Sequence, residues 1–264
     1  MKKIISALMS ICMAFTTSAQ QKQGTVIYTR TMQMQINIDD NNHMGQMLPK
    51  TRNDNFELMF GNNKSIWKHI DEEDNNDDVN SGGMQIRMIA PGQNDVVFYD
   101  FANAKKIEQR EMMERKFIVT DSIQKLDWKL GAETQTILGH VCEKATAQRA
   151  GKRTQMTMDN GKMERKEIAD TSTIVAWFTK DIPVPAGPEV QGQLPGLILA
   201  LDISNGRAVY KAVELSEKAD IASIKEPTKG KKVTPDEYKK ETVKMMDEMQ
   251  KNNQGSGNRT IRIN

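Results

Sequence analysis

The sequence predicts a mainly β protein, built on a single curved antiparallel sheet or open half-barrel, with a short C-terminal amphipathic helix and a flexible tail. Three observations predict this class: apolar and polar residues alternate over short segments, turn-forming residues separate those segments, and helical periodicity occurs near the C-terminus. Because candidate strands follow one another without intervening helices, we expect an antiparallel meander.

The first 19 residues have the organisation of a secretory signal peptide. Lys2 and Lys3 precede an apolar run from Ile4 to Phe15, and small residues lead up to Ala19. We predict cleavage after Ala19 and localisation in the periplasm, with the cell surface or the medium as alternatives. The two lysines account for the formal net charge of +2, so the mature chain has balanced charges and nucleic acid is not an expected partner.

Composition divides the chain into a signal peptide at residues 1–19, a β-rich domain at residues 20–224, and a C-terminal helix with a disordered tail at residues 225–264. The last boundary marks the point where alternation gives way to a segment rich in lysine. Thr234 and Glu237 have the spacing of a capping box, which predicts that the helix begins there.

The β-rich domain starts with a long alternating segment, residues 24–38, which predicts the first strand. Residues 55–70 contain two apolar-patterned arms around Gly61-Asn62-Asn63 and predict a hairpin. Residues 71–83 are acidic and rich in amides, so we predict a mobile, solvated loop. Four short candidate strands with turn residues between them then predict a meander: residues 84–90, 95–101, 105–110 and 115–120.

Glycine positions organise the later strands. Gly139 lies within the segment 134–148, where an interior glycine predicts a β-bulge or a close approach of two backbones. The Asn-Gly pairs at residues 160–161 and 205–206 favour type I′ hairpin turns. Apolar segments flank the second pair, which makes it the clearer hairpin.

The composition favours an aliphatic, methionine-rich core, since the chain has 18 methionines and only 5% aromatic residues. Cys142 is the only cysteine after residue 19, so the mature chain has no disulfide within itself. We interpret Cys142 as a buried structural cysteine. Metal ligation and a reactive thiol are the alternatives.

The sequence favours a protein without enzymatic activity. It contains no G-x-S-x-G elbow, no H-E-x-x-H motif, no phosphate-binding glycine loop and no dinucleotide fingerprint. His140 and Cys142 are two residues apart and would share one face of a strand, so a Cys/His hydrolase stays an alternative. The orienting group and oxyanion site that such an enzyme needs are not evident.

Methionines at two-residue spacing define another alternative, a methionine-based copper-binding protein. Met156 and Met158 form an M-x-M pair with Met163 beyond the predicted turn, and Met32 and Met34 form a second pair. On a strand this spacing places two thioethers on one face, and soft ligands select Cu(I). The simpler interpretation is that methionine fills the core, with no resident cofactor.

Residues 177–202, WFTKDIPVPAGPEVQGQLPGLILALD, resemble the signature region of the GLPGLI family of exported proteins from Gram-negative bacteria. The similarity extends to Trp128-Lys129-Leu130 and to residues 137–145, and covers about residues 24–215. Two positions depart from the pattern: Gln193 replaces the first glycine of the motif, and Gln191 stands where an aromatic residue is common. The resemblance implies export and a β-rich fold, but no reaction.

By analogy with exported β-rich proteins that hold lipid or lipoprotein chains, the family motif would turn the chain at the edge of a concave sheet. The candidate ligand-binding residues are Trp177, Leu194, Pro195, Gly196, Leu197 and Ile198. Packing in the core is the alternative interpretation of these residues.

The leading hypothesis is therefore a non-enzymatic periplasmic binding or accessory protein of the cell envelope, holding an apolar ligand or serving an outer-membrane or periplasmic partner. It predicts an apolar cavity near Trp177 and Leu197. The copper hypothesis requires Met156 and Met158 to meet a third soft ligand, and the hydrolase hypothesis requires a reactive thiol at Cys142.

Overall fold

The computed structural model describes residues 21–33, 51–70, 78–81, 84–87, 94–112, 114–159 and 162–255. Among these residues the chain forms one sheet of 12 strands, a separate sheet of two strands and a single α-helix near the C-terminus. The large sheet is open, because its two edge strands do not pair with each other. The prediction of a mainly β protein with one open sheet and a C-terminal helix is confirmed.

The elements follow the chain as β1 Gly24–Gln33, β2 Thr51–Gly61, β3 Lys64–His69, β4 Asp78–Ser81, β5 Met84–Arg87, β6 Val96–Asp100, β7 Lys105–Met112, β8 Arg115–Ser122, β9 Lys129–Ile137, β10 His140–Asp159, β11 Lys162–Thr179, β12 Leu197–Ile203, β13 Ala208–Ser216, β14 Lys231–Val233 and helix α1 Pro235–Gly255. The order across the large sheet is β14-β8-β7-β6-β3-β2-β1-β13-β12-β11-β10-β9. Neighbouring strands are antiparallel, except that β14 is parallel to β8. The short strands β4 and β5 pair with each other.

Positive φ angles mark the predicted hairpin turns. Asn62 and Asn63, with φ of 52° and 58°, connect β2 directly to β3 as predicted. The hairpin at residues 205–206 is also present, but its loop comprises residues 204–207 instead of a two-residue turn, because Ile203 pairs with Ala208. The turn predicted at residues 160–161 lies outside the described residues, as do residues 34–38 of the predicted first strand.

Two local predictions are wrong. Gly139 is not in a bulge: Leu138 and Gly139 form the turn between β9 and β10, with φ of 49° and 84°. Glycine suits both a bulge and a left-handed turn position, so its presence alone does not distinguish the two. Residues 78–81, predicted as part of a solvated loop, form β4 and pair with β5.

The connection between β11 and β12, residues 180–196, packs on one face of the large sheet, and we call it the covering loop. Its Ile182 shares one buried cluster with Tyr28 and Leu58. Directly paired residues of neighbouring strands point to the same face of a sheet. Tyr28 of β1 is paired with Phe56 of β2, so both side chains lie on the face that the covering loop packs against. We call it the inner face.

The helix α1 begins as the capping box predicts. The Thr234 backbone N–H donates to Glu237 Oε2 at 2.8 Å, and the Glu237 N–H donates to Thr234 Oγ1 at 3.3 Å. Tyr238 packs edge-on against Phe117 of β8, and Met245 is buried in the same cluster, so the helix covers one end of the sheet. Among the described residues, no helix combines the length and apolarity needed to cross a membrane.

Candidate functional site

A cavity of about 250 Å³ lies at the inner face, beside the covering loop. Six neighbouring strands contribute to its lining, from β13 through β1, β2, β3 and β6 to β7. Arg30 of β1 is paired with Tyr210 of β13, and Val97 of β6 is paired with both Trp67 and Glu108. These side chains therefore share one face, although they are far apart in the sequence.

Aromatic rings form the apolar part of the cavity. Phe56 and Trp67 are stacked, with ring centroids 5.0 Å apart and an interplanar angle of 17°. The rings of Tyr210 and Trp67 are arranged edge to face, with their centroids 6.0 Å apart. The ring of Tyr28 is tilted against that of Trp67, with a centroid separation of 5.3 Å. Packing of this kind holds the aromatic rings in fixed orientations.

Arg30 is the most constrained charged residue of the site. Its side chain is 9% exposed, its Nη2 donates to Asp54 Oδ2 at 2.8 Å, and its guanidinium carbon lies 4.6 Å from the centroid of the Phe56 ring. Arg52 donates to the other oxygen of Asp54 at 2.9 Å. The Arg30 Nε is buried and has no hydrogen-bond acceptor among the described residues.

The electrostatics of Asp54 follow from this pairing. Burial alone raises the pKa of the Asp54 carboxyl, but the hydrogen bonds and charges of Arg30 and Arg52 outweigh burial and hold it below its ordinary value. Asp54 is therefore ionised at neutral pH, and it orients the guanidinium of Arg30.

A second charged group lies on β7. Glu108 forms ion pairs with Lys106 and Arg110, which lie on the same face two positions before and after it. Burial raises the pKa of Glu108, and the two cations more than offset this effect, so the pKa lies below its ordinary value. Asp95 lies 3.9 Å from Arg110, and there burial dominates and raises the pKa of the carboxyl.

Glu189 and Gln191 bring the covering loop into the cavity lining. Tyr210 donates its hydroxyl hydrogen to Glu189 Oε1 at 2.8 Å, and Tyr99 donates to the Glu189 backbone oxygen at 3.4 Å. Ser65 donates to Gln191 Oε1 at 2.6 Å. Burial raises the pKa of both tyrosine hydroxyls, so they stay protonated and act as donors that fix the loop.

The backbone of Glu189 has φ of 56°, a left-handed conformation that is uncommon for a residue other than glycine. Residues held in this region cost conformational energy and persist where their surroundings require it. Here the surroundings are the two tyrosine hydroxyls, which hold both the side chain and the carbonyl of Glu189 at the cavity.

The structure distributes the predicted apolar ligand-binding residues through the core. Leu194 and Ile198 are buried in one cluster, and Leu197, 0% exposed, is buried in another against which Trp177 packs. Pro195 is exposed. Their contact with an apolar ligand stays a prediction.

Gly196 explains why the apolar run is interrupted. A Cβ built on Gly196 would lie 2.0 Å from the backbone oxygen of Thr179, so only glycine fits where the covering loop enters β12. Pro195 before it restricts Leu194 to an extended backbone. The motif therefore seats the covering loop closely against the end of β11.

The two glutamines that depart from the family pattern both have structural roles. Gln191 lines the cavity, and Gln193 Oε1 accepts hydrogen bonds from the Leu126 N–H at 2.9 Å and from Trp128 Nε1 at 3.1 Å. These contacts tie the covering loop to the segment before β9. Of the two departures from the family pattern, Gln191 lies at the cavity and Gln193 fixes the loop elsewhere.

Cys142 is buried, as predicted. Its thiol donates weakly to the His140 carbonyl oxygen at 3.6 Å, while the His140 ring lies 3.2 Å from Asp181 Oδ2. Burial raises the pKa of the Cys142 thiol to about 11. Because the thiolate is the reactive form, this environment does not favour a nucleophile.

Strand register brings three of the methionines to neighbouring positions. Met158 of β10 is paired with Met163 of β11, and Met156 lies two positions before Met158. Met32 lies in β1, and Met34 is outside the described residues.

Sequence comparison identifies one region of similarity. Residues 128–200 match a family model. It is described as a protein of unknown function, Porph_ging. The matched region contains the covering loop with Glu189, Gln191 and Gln193, and it is consistent with the GLPGLI resemblance. No curated protein shows significant sequence similarity to the chain.

Two solved structures of PNGF-II, in the C2 and P21 space groups, are similar to this chain with TM-scores of 0.49 and 0.48. Sequence identities are 19% and 18%, and each comparison covers 83% of this chain and 32% of the PNGF-II chain. The chain therefore spans about one third of the length of PNGF-II.

Proposed function

We propose that this protein is a non-enzymatic binding protein of the cell envelope and that its ligand occupies the cavity at the inner face. The observation that carries the proposal is the convergence of stacked aromatic rings and a buried, oriented arginine on one cavity. A largely preformed concave site whose polar groups are held in fixed positions is suited to the recognition of a small molecule with polar groups.

The pairing of the charged groups favours binding over catalysis. A general base works best with a pKa near the operating pH, whereas Lys106 and Arg110 hold the pKa of Glu108 below its ordinary value. Asp54 is likewise fully engaged by Arg30 and Arg52. Such charges are suited to fixing donors and acceptors in place for a ligand.

The lining also favours a ligand with polar groups over a wholly apolar chain. Burying an apolar molecule against Arg30, Glu108 and Glu189 would remove water from charged groups without replacing its hydrogen bonds. Location in the periplasm, by way of the signal peptide at residues 1–19, is part of the proposal, and service to an outer-membrane partner remains compatible with it.

Native mass spectrometry tests the proposal. The mature chain, residues 20–264, would be isolated gently from the periplasm of its own host beside a Val97→Trp variant, which fills the cavity, and a Val213→Trp variant. Val213 is 52% exposed on β13 and serves as the matched control. We expect an additional mass, lost on denaturation, in the wild type and the control but not in Val97→Trp. Equal retention of that mass by Val97→Trp, or a bare wild type, would count against the proposal.

The methionine register supports a second candidate function, Cu(I) binding. Met158 and Met163 are directly paired and Met156 is two positions away, so the register brings three residues with soft thioether ligands to neighbouring positions on the two strands. Competition for Cu(I) with a coloured chelator would test it, comparing Met158→Leu with a Met112→Leu control, since Met112 packs against the apolar cluster at α1. We expect weaker Cu(I) binding in Met158→Leu alone, and equal affinities in both variants would remove the candidate.

A further inference from the structure

Four charged side chains of alternating sign form a row along one wall of the cavity. Asp95 Oδ2 lies 3.9 Å from Arg110 Nε. Glu108 forms ion pairs with Arg110 on one side and with Lys106 on the other. Lys106, Glu108 and Arg110 are alternate residues of β7 and therefore lie on one face of that strand. We call these four residues the charge row.

The charge row is accessible from the cavity. All four side chains belong to the lining, and their exposed fractions range from 10% for Glu108 to 39% for Arg110. Lys106 has three N–H donors and Arg110 has five, and the ion pairs within the row occupy only some of them. The row therefore offers both donors and acceptors to a ligand.

The balance of charge in the row selects against an ionised ligand. Two cations face two carboxylates, so the row carries no net charge. An anion that approached Arg110 would also meet Glu108 within a few ångströms, and an ammonium group at Glu108 would meet Lys106 and Arg110 in the same way. A neutral ligand avoids both repulsions.

Hydroxyl groups match a row of alternating donors and acceptors. A hydroxyl donates one hydrogen bond and accepts others, so it can donate to a carboxylate and accept from the neighbouring cation. Hydrogen bonds to charged groups are also stronger than those between neutral groups. Hydroxyls on adjacent carbon atoms can thus follow the row from Glu108 toward Asp95 or Lys106 while its ion pairs stay in place.

The rest of the lining suits the C–H groups of a polyhydroxylated molecule. Val97 lines the cavity and is paired with both Trp67 and Glu108, so apolar groups lie beside the charge row on the same face. The cavity of about 250 Å³ is smaller than the roughly 300–1,000 Å³ of sites for drug-sized ligands, which favours one ring over several. A single sugar ring combines adjacent hydroxyls with faces made of C–H groups.

We infer that the cavity binds a neutral sugar of one ring, with its hydroxyl groups along the charge row and its C–H groups against Trp67. This inference rests on the proposed function and specifies the ligand class of the same site.

The indole N–H signals in NMR give the direct readout, because the three tryptophans lie in different places. Trp67 lines the cavity, whereas Trp128 donates its indole N–H to Gln193 and Trp177 packs against a buried cluster. In a mature chain labelled with ¹⁵N, the signals lost in Trp128→Phe and in Trp177→Phe assign that of Trp67 by elimination. Titration with D-glucose, D-galactose and D-mannose, each alone, is expected to shift the Trp67 signal with at least one sugar and to leave the other two signals in place.

Charged derivatives of the same ring test the requirement for neutrality. The uronate of the sugar that binds carries a carboxylate, and its 2-amino-2-deoxy derivative carries an ammonium group. We expect each to bind at least about tenfold more weakly than the neutral sugar, because each places a like charge beside one member of the row.

Asp95→Asn tests the row with a side chain of the same shape. It replaces a charge-assisted hydrogen bond by a neutral one, so the neutral sugar should bind more weakly. It also gives the row a net positive charge, so the uronate should bind about tenfold more tightly than it does to the wild type. Asp181→Asn makes the same change at an exposed position outside the cavity lining and should alter neither affinity.

A Trp67 signal that none of the three sugars shifts would overturn the inference, as would a charged derivative that binds as tightly as the neutral sugar. Equal effects of Asp95→Asn and Asp181→Asn would also overturn it. If native mass spectrometry still showed a releasable mass that Val97→Trp abolishes, the proposed function would stand and only the ligand class would fail. Loss of that mass effect would instead reject the cavity as the binding site.

Discussion

The Tyr210 hydroxyl donates a 2.8 Å hydrogen bond to Oε1 of Glu189, joining the middle of the sheet to the covering loop. The same tyrosine packs edge-on against Trp67, so loop and aromatic surface are positioned by one residue. Displacing the covering loop would therefore also remove the support of the cavity.

Tyr210→Phe is expected to lower the free energy of unfolding by about 1 kcal/mol, because it removes the hydrogen bond between the buried Tyr210 side chain and the Glu189 carboxylate. Tyr238→Phe makes the same chemical change on α1, where the hydroxyl has no hydrogen bond to the described residues, and should cost less than about 0.5 kcal/mol. Urea unfolding of both variants measures the difference. Equal effects would show that the bond to Glu189 contributes nothing.

Gly196→Ala should destabilise the fold by about 3 kcal/mol or more, since its Cβ would meet the Thr179 backbone oxygen at 2.0 Å and backbone cannot move aside as a side chain can. Gly131→Ala is the control, because its Cβ would make only ordinary contacts at 3.6 Å. Thermal unfolding of the two variants distinguishes them. A Gly196→Ala protein as stable as the wild type would contradict the close seating of the covering loop.

Leu197→Ala is expected to cost about 2–5 kcal/mol, the range for truncating a fully buried leucine. Val213→Ala, at an exposed position on β13, should change stability by less than about 0.5 kcal/mol. Chemical unfolding measures both values. If Leu197→Ala weakened ligand binding while leaving stability intact, Leu197 would be a ligand contact and not a core residue.

Stability should fall in acid through Asp54. Its pKa is lowered in the folded state, so its contribution is present above the unfolded value of about 3.9 and is lost as the pH falls through the folded pKa. Asp54→Asn should cost about 3 kcal/mol at pH 7, because it leaves buried arginine charges uncompensated.

The difference in unfolding free energy between the wild type and Asp54→Asn should narrow below about pH 4, where the Asp54 carboxyl becomes protonated in the unfolded chain while it stays ionised in the folded one. Urea unfolding across pH 3 to 7 provides the measurement, with Asp181→Asn as an exposed control. A difference that stays constant with pH would contradict the assigned pKa direction.

Cys142 should resist alkylation in the folded protein. A buried thiol with a pKa of about 11 has little thiolate at pH 8, so iodoacetamide should modify it orders of magnitude more slowly than in urea. Mass spectrometry of timed samples gives both rates. Rapid modification of the folded chain would revive the hydrolase alternative.

The strands could be predicted because alternation is a local property of the sequence. The cavity could not, since it requires β13, β1, β2, β3, β6 and β7 to be neighbours, and no local pattern encodes that order. One signal was present nonetheless. Arg30 occupies the parity of Val26, Tyr28 and Met32 in the first strand, so it is a charged residue in a row that otherwise faces the core.

The apolar residues of the family motif are compatible with two interpretations. Leu194, Leu197 and Ile198 are apolar whether they line a ligand cavity or fill a core, and hydrophobicity alone cannot separate the two. Gln191 carried more information, because a buried amide needs a specific partner, here Ser65, and Gln191 itself lines the cavity.

The pairing of β1 with β13 bears on how the chain folds. Thr25 of β1 is paired with Ser216 of β13. The strand β1 lies in the middle of the sheet, and it can complete its pairing only after β13 has been synthesised, late in translation. Proteins dominated by pairings between residues distant in sequence fold slowly, because the entropy of closing a long loop is lost before the stabilising contacts between the strands can form. A nascent chain that lacks β13 has no partner for one side of β1, so we expect the large sheet to form only after Ser216 has been synthesised.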